Sequence, residues 1–303
     1  MTVRASGVGK LIKDRQNDER GLLLNKAANA AHRSAQKVEW LRYAPSLALA
    51  ATAVVLACLQ KTSQILIVAG FAWALISVLL LSPLAKLRCG EAAKLQEHFD
   101  TYVFCMDWAE RESKADPERI RELASKFKGD ADKLRDYYAD VSDFPPVVAV
   151  LLSQRSNVTW DMRLRLRWKN SVTAFLISWL SFGIALGLLG NLSTMNLLLR
   201  WYAPSLAVIS LAWEIIHSQR QTIADRAAVK ARITSELEWA SLQPSGRQQE
   251  KMIKSCRKIQ DEIFAVRSKA TRVPKFLYDR YRETDDSRMK DTIEDMRKEF
   301  ATS

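Results

Sequence analysis

A short stretch that precedes a long apolar segment carries the side chains best suited to bind a charged ligand. Five of them lie within nine residues: Arg155, Asn157, Trp160, Asp161 and Arg163. Guanidinium groups form charge-assisted hydrogen bonds with phosphates, while aromatic rings and amides recognise bases by stacking and hydrogen bonding. Asp161 would orient an arginine or accept a hydrogen bond from a base edge. These residue types make the stretch a candidate binding site for an anionic ligand.

The same stretch has a simpler interpretation, which stays open at this point. Trp160 would anchor the chain at a membrane interface or in a core, and Arg163, Arg165 and Arg167 would mark a cytoplasmic flank. Positively charged residues collect on that side of a membrane regardless of any ligand. The choice depends on the elements that surround the stretch.

Charged residues are distributed very unevenly along the chain. Residues 43–85 contain one, Lys61, and residues 170–213 contain one, Arg200. A soluble domain needs polar residues in every surface element, so this pattern excludes a fully soluble enzyme. Four segments reach or approach the roughly 20 residues that cross a bilayer as a helix; they are Tyr43–Gln60, Gln64–Ala85, Ser171–Leu192 and Met195–Ile216. The sequence therefore predicts an all-α membrane protein with four transmembrane helices in two hairpins.

These segments divide the chain into five parts. Residues 43–85 and 171–216 are the predicted hairpins, and residues 1–42, 86–170 and 217–303 are polar helical parts. The polar parts contain nine, sixteen and nineteen lysines and arginines, whereas the two hairpin turns contain only Lys61. Because positive flanks stay in the cytoplasm, both termini and the central part are predicted to be cytoplasmic. The net charge of +12 follows from these flanks, and no DNA- or RNA-binding motif accompanies it.

Two charged residues in the last hairpin have alternative interpretations. Arg200 is expected to extend to the interface beside Trp201 and Tyr202, the alternative being a charge in a pore. Glu214 is expected to face interfacial water. The alternatives are a ring of charges at a pore mouth and a pair with Arg220, whose spacing of six residues is poor helical geometry. Both expectations depend on the surroundings of the fourth segment.

The third apolar segment contains small and polar residues that would serve either helix packing or a pore. Gly183 and Gly187 lie on one face, where they would let another helix approach closely. Ser178, Ser181 and Asn191 would supply a sparse polar lining. The alternative is that these residues only pack the helices of one chain together.

A hexapeptide, Tyr-Ala-Pro-Ser-Leu-Ala, occurs at residues 43–48 and again at 202–207. In the predicted topology the first copy begins at the cytoplasmic face and the second at the outer face, and the flanking residues differ. Coincidence is favoured over a duplicated hairpin, since six shared residues are few.

Nothing in the sequence predicts a catalytic site, a cofactor or a metal. No pair has metal-ligand spacing among the cysteines and histidines, which are Cys58, Cys89, Cys105, Cys256, His32, His98 and His217. The Gly9-Lys10 pair lacks both the preceding glycine and the following Ser or Thr of a phosphate-binding loop. We therefore expect no enzymatic reaction.

Helical periodicity runs through the polar parts. Leu95, Phe99, Tyr102 and Met106 recur on one apolar face. A further helix is expected from the Asp116-Pro117-Glu118 start to Gly129. The remaining helical expectations are Thr159–Asn170, running into the third apolar segment, Ser218–Gln243, ended by Pro244-Ser245-Gly246, and a surface helix over Asp285–Phe300. The spacing of a coiled-coil seam is shown by Met252, Cys256, Ile259, Ile263 and Val266, and the shortness of this seam favours packing within the chain.

Several short stretches together resemble one protein family. They are Arg15-Gln16-Asn17 with Leu22–Leu24, Leu95–Thr101 with Trp108, Asp136-Tyr137-Tyr138, Gln154–Asn157 with Trp160, Asp161 and Arg163, Ile259–Phe264, Arg267 and Val273-Pro274. In this order around two apolar hairpins, they resemble the SMODS-associated four-transmembrane pore-forming effectors of bacterial antiphage defence. The segment Lys26–Lys37 departs from the family, because His32-Arg33 lies where the family tends to have a tyrosine, so the role of that region is open.

The resemblance implies an effector of cyclic-oligonucleotide signalling. A nucleotidyltransferase would make the messenger, this protein would sense it, and oligomeric pores would disrupt the bacterial inner membrane in abortive infection. The Arg155–Arg163 stretch would then bind the messenger and act directly on the third apolar segment. The alternative is a membrane-anchored helical scaffold or sensor that binds a protein partner without forming a pore.

Overall fold

All regular elements are helices in the computed structural model, which describes residues 8–59, 61, 63–108, 114–241 and 247–302. The α-helices are α1 (Val8–Asn17), α2 (Glu19–Cys58), α3 (Gln64–Ile76), α4 (Ser82–Val103), α5 (Pro117–Ser125), α6 (Pro146–Leu189), α7 (Thr194–Leu197), α8 (Leu206–Ser241), α9 (Arg247–Lys269) and α10 (Lys275–Thr302). Two π-helical turns, Ser77–Leu81 and Leu198–Tyr202, and one 3₁₀ turn, Asp132–Leu134, complete the list. The all-α prediction is confirmed. The predicted helix end at Pro244-Ser245-Gly246 lies outside the described residues.

The chain forms two compact units. Unit 1 comprises the described parts of residues 1–33, 88–164 and 222–303, and unit 2 comprises the described parts of residues 34–87 and 165–221. Both predicted hairpin segments therefore belong to unit 2. Helices α2, α4, α6 and α8 each contribute residues to both units.

Unit 2 has the composition of a membrane domain. Among the described residues, three helices are long and apolar enough to cross a bilayer: Glu19–Ala57, Gln64–Val103 and Pro146–Leu189. The predicted fourth segment falls in a bent pair, Thr194–Tyr202 and Leu206–Ala240, whose members meet at 70° and are apolar enough to count together as one broken span. Large apolar side chains such as Ile65, Leu189 and Trp213 are exposed on unit 2, as contact with lipid requires. The chain is a polytopic all-α membrane protein.

Unit 1 encloses an apolar core. Leu95 and Phe99 of α4 are fully buried in it, together with Met252, Cys256, Ile259 and Ile263 of the predicted seam, whereas the fifth seam residue, Val266, is only partly buried. The prediction that the seam packs within the chain is confirmed. Asp116 caps α5 by accepting from the Glu118 N–H at 3.1 Å, but the helix ends at Ser125. α6 runs unbroken from Pro146 into the third apolar segment, as expected.

Candidate functional site: a cationic cavity in unit 1

Unit 1 contains a cavity of about 720 Å³, a size typical of clefts that bind small molecules. Its walls come from α1, α2, the loop 133–140, α6 and α10. Polar, charged and aromatic side chains from distant parts of the chain converge here. The cavity is therefore the candidate site of unit 1.

Two amide side chains of α1 hold the loop 133–140 in place. Gln16 donates to the Tyr138 carbonyl at 3.1 Å and accepts from the Tyr138 N–H at 2.7 Å. Asn17 donates to the Asp136 carboxylate at 2.9 Å and accepts from the Asp136 N–H at 3.0 Å. Asp136 has a φ of 49°, a left-handed conformation that Asp adopts more readily than most residues. Two of the stretches that carry the family resemblance thus build one wall of the cavity.

Positive charge exceeds negative charge on the cavity wall. Six cationic and four acidic side chains line it. Four of the cations form ion pairs, which are Lys13–Asp140 at 2.6 Å, Arg135–Asp132 at 3.4 Å, Arg282–Asp286 at 3.6 Å and Arg297–Glu294 at 2.5 Å. Lys133 and Lys290 form no ion pair with any residue that the structure describes. An anion in the cavity would meet two ammonium groups outside any described ion pair, of which Lys290 also interacts electrostatically with Asp286.

Aromatic and amide groups line the same space. The Trp160 ring packs edge-on against Tyr278, with the ring centroids 4.8 Å apart. Its indole N–H is buried and has no acceptor among the described residues, a desolvation cost that a ligand acceptor would remove. The Asn157 amide donates to the Tyr138 hydroxyl at 3.4 Å. The cavity therefore offers ammonium groups, aromatic rings and an amide, the combination that recognises phosphates and bases.

Two of the five residues predicted from the sequence lie at this cavity. Asn157 and Trp160, three residues apart on one face of α6, belong to its wall. The neighbouring Ser156 also lines it. These two positions carry the amide and the aromatic ring of the prediction.

The structure places the other three predicted residues away from the cavity wall. Asp161 forms an ion pair with Arg226 of α8. Arg155 and Arg163 lie near Lys230, and burial together with these two arginines lowers the pKa of Lys230. Because successive helical residues point about 100° apart, a nine-residue stretch of α6 cannot present all its side chains to one site.

Helix α10 supplies cavity residues that were not predicted from the sequence. It begins at Lys275, ten residues before the predicted surface helix, and places Tyr278, Arg282, Asp286 and Lys290 on the cavity wall. These residues recur at every fourth position, a spacing that indicates one helical face. This spacing is present in the sequence, but the many charged residues of α10 indicated an ordinary surface helix.

The cavity wall is connected to a buried ionic network. The Tyr138 hydroxyl donates to Asp100 at 2.7 Å, and Arg267 donates to the other oxygen of Asp100 at 2.8 Å. Asp100 is 1% exposed and belongs, like Tyr138 and Arg267, to the stretches that carry the family resemblance. Within the described residues, no group of three or more His, Cys, Asp or Glu is arranged to hold a metal ion.

Glu97 is the second carboxylate of this network. It accepts from Gln260 at 2.7 Å and from Arg257 at 2.7 Å, and none of its surface is exposed. Burial, and secondarily the charge of Asp100, raises the pKa of Glu97 to about 7, against the opposing effect of Arg257. The folded protein therefore holds a proton here that the unfolded chain releases near pH 4.5.

The proton on Glu97 is expected to affect how the free energy of unfolding varies with pH. Between about pH 4.5 and pH 7 the folded state binds more protons at Glu97 than the unfolded state, so this residue lowers stability as the pH rises through that window. The total is about 3 kcal/mol. Chemical denaturation from pH 4.5 to 8 should show a steeper fall for the wild type than for Glu97→Gln. Parallel curves for the two proteins would contradict the raised pKa.

In unit 2, the structure places both predicted glycines against residues of the same chain. A Cβ atom at Gly183 would overlap the indole of Trp201, which is 1% exposed. A Cβ atom at Gly187 would lie 2.9 Å from a methyl group of Leu197. The glycines thus let the segment 197–201 pack closely on α6.

The polar residues predicted beside these glycines occupy different environments. Ser178 and Ser181 are exposed on the surface of unit 2. Asn191 has a φ of 46° and follows the end of α6, where its N–H donates to Leu188 and the Leu192 N–H donates to Gly187. This bonding pattern ends a helix with a left-handed residue, a position that Asn tolerates well.

The chain is similar to proteins of bacterial defence. The family model described as "SMODS-associating 4TM effector domain" matches residues 10–296. A curated relative from Bacillus cereus (strain VD146), named "Probable CBASS effector molecule", is 28% identical over 228 residues, covering 73% of this chain and 74% of the relative. No solved structure matches the chain. Since the family match covers nearly all of both units, the chain belongs to the SMODS-associating 4TM effector domain family.

Proposed function

We propose that the protein binds a cyclic oligonucleotide in the cavity of unit 1 and then permeabilises the bacterial inner membrane as an oligomer. The family and the name of the relative support the effector role. The observation that carries the ligand assignment is the cavity itself, where Lys133 and Lys290 form no ion pair with a described residue and the Trp160 N–H has no acceptor among the described residues. A cyclic oligonucleotide brings one negative charge per phosphodiester, together with base faces and base edges.

Each of these groups has a role that its chemistry suggests. The two lysines would bind phosphodiester oxygens, and the Trp160–Tyr278 pair would contact a base face. Asn157 would turn from its long bond with Tyr138 to a base edge, since 3.4 Å is near the limit of a hydrogen bond. No step of this function requires a reaction, a cofactor or a metal.

The assignment of the membrane and of the topology rests on charge and apolarity. Lysine and arginine flank the apolar segments on the side that holds both termini and the central part, so these parts would lie in the cytoplasm, where a messenger is available. α6 carries Asn157 and Trp160 and continues as the third apolar segment. A ligand that shifts this helix would therefore act on a membrane-spanning element without an intermediate contact.

Dye leakage from liposomes tests this function. The full-length protein, reconstituted in vesicles that contain a self-quenched dye, is expected to release the dye when a cyclic dinucleotide or trinucleotide is added. A linear dinucleotide of the same bases is the matched control. Release by one cyclic compound and not by its linear counterpart supports the proposal. Tight binding of a cyclic compound without any release would instead favour the scaffold that acts through a protein partner.

A further inference from the structure

A buried arginine joins three elements of unit 2. Arg42, which is 1% exposed, lies in α2 just before the first apolar segment. Its guanidinium forms an ion pair with Glu214 of α8 and a second one with Glu39 at 3.3 Å, one turn earlier in α2. Its Nε donates to the Ser77 hydroxyl at 3.2 Å, in the π-helical turn that follows α3. One side chain thus connects the first, second and fourth apolar segments.

Glu214 is held from two sides. Besides the ion pair with Arg42, it accepts from the Ser82 hydroxyl at 2.5 Å. The expectation that Glu214 faces interfacial water is therefore wrong, although a quarter of its side chain remains exposed. No local spacing could predict this pair, because its partners are 172 positions apart in the chain.

The helices around the pair are arranged to hold it. The Ser46 hydroxyl donates to the Arg42 carbonyl at 2.8 Å, and the Trp73 indole donates to Ser46 at 3.1 Å. The π-helical turn Ser77–Leu81 carries Ser77 and ends next to Ser82, so it positions both hydroxyl groups of the cluster. Single π-turns inside helices are frequent at functional sites, where they cost regular hydrogen bonding.

The strength of the Arg42–Glu214 ion pair depends on whether water surrounds it. Charged groups in an apolar environment are stable only when they are paired and hydrogen-bonded, and the loss of one partner leaves a buried charge. In an aqueous lumen, by contrast, each group would be hydrated separately and the pair would contribute little. An Arg–Glu pair at this position therefore favours a dry arrangement of the three segments over a hydrated one.

We propose that the Arg42–Glu214 pair is the latch that keeps unit 2 closed. This inference rests on the proposed pore function and adds to it the residues that gate the pore. In the closed form the guanidinium ties the first and second apolar segments to the fourth. Opening separates the pair, and both charges then face water in the lumen.

The test is leakage without messenger from full-length protein in liposomes. Arg42→Gln and Glu214→Gln are each expected to raise basal leakage at least about tenfold over wild type, since each removes the ion pair that joins the first and fourth apolar segments. The charge exchange Arg42→Glu with Glu214→Arg should restore low leakage. Ser82→Ala keeps the ion pair and removes one hydrogen bond, so its basal leakage should lie between that of wild type and that of the two single variants. Arg220→Gln is the matched control, because Arg220 belongs to the same unit and is exposed.

The outcomes separate the latch from the function on which it rests. Correctly folded single variants with wild-type basal leakage, in vesicles where wild type responds to messenger, would overturn the latch alone. The latch would also be overturned if the charge exchange did not restore low basal leakage, because any disturbance of packing would then be enough to cause leakage. If no protein leaks with or without messenger, the pore function fails as well. If Arg42→Gln and Glu214→Gln do not fold, Ser82→Ala becomes the test. Wild-type basal leakage of Ser82→Ala would then contradict the latch.

Discussion

Reversing the charge of two cavity lysines, Lys133→Glu with Lys290→Glu, is expected to weaken binding of the cyclic oligonucleotide by about 100-fold or more. Each substitution removes a charge-assisted contact worth about 1.5–3 kcal/mol, and each new carboxylate repels the phosphodiesters. Calorimetric titration of the full-length protein in detergent measures the affinity. The ligand is the cyclic compound that triggers leakage from liposomes.

Two further variants show whether the loss belongs to the cavity. Lys10→Glu with Lys258→Glu changes the net charge equally at exposed positions that do not line the cavity, so its affinity should stay near wild type. Arg155→Ala with Arg163→Ala tests the arginines predicted from the sequence. If this second variant loses binding while the cavity variant keeps it, the messenger binds on the face of α6 beside Lys230 and not in the cavity.

Gly183→Leu is expected to destabilise unit 2 by at least about 3 kcal/mol, because the new side chain occupies the position of the Trp201 ring. Trp201 is fully buried and is surrounded by Trp179 and Phe182, so its ring cannot move aside without disturbing other rings. Thermal unfolding in detergent should show a lower midpoint, by about 5–10 °C. Liposome leakage in response to messenger should be lost in parallel.

The matched control adds the same side chain on the same helix. Ala185→Leu lies two residues away at an exposed position and should unfold close to wild type. Trp201→Ala in the Gly183→Leu protein should recover part of the lost stability by making room. If Gly183→Leu were as stable as Ala185→Leu but caused no dye leakage from liposomes, Gly183 would instead lie at a contact between subunits.

The helices of the membrane unit were largely predictable, and their distortions were not. Helices of the structure cover residues 43–58, 64–85 and 171–189 of the predicted apolar segments, because long apolar runs determine a helix in lipid by composition alone. The π-helical turns Ser77–Leu81 and Leu198–Tyr202 have no such local signal. They place Ser77 and Trp201 against partners elsewhere in unit 2, and only the packed structure contains those partners.

The candidate site was predictable in part, through residue type. An aromatic ring and an amide, Trp160 and Asn157, indicated α6 as a binding element and do lie on the cavity wall. Lys133 and Lys290 looked like ordinary charged surface residues, since lysine is common on any solvated helix or loop. Lys133 belongs to the loop 133–140, which the amide of Gln16 holds from 122 positions away in the chain.

The sequence by itself determined the helical fold class, the apolar segments and the family, because hydropathy, periodicity and short motifs are local properties. The tertiary structure decided which distant groups meet, as in the Arg42–Glu214 pair. It also determined the conformations of the two copies of the repeated hexapeptide, which differ. Around Pro45 the first copy continues as helix in α2, whereas around Pro204 the second copy breaks before α8. Proline removes one helical hydrogen bond in both copies, and in the second copy the Pro204 carbonyl in addition packs against Gly70, where no side chain blocks it.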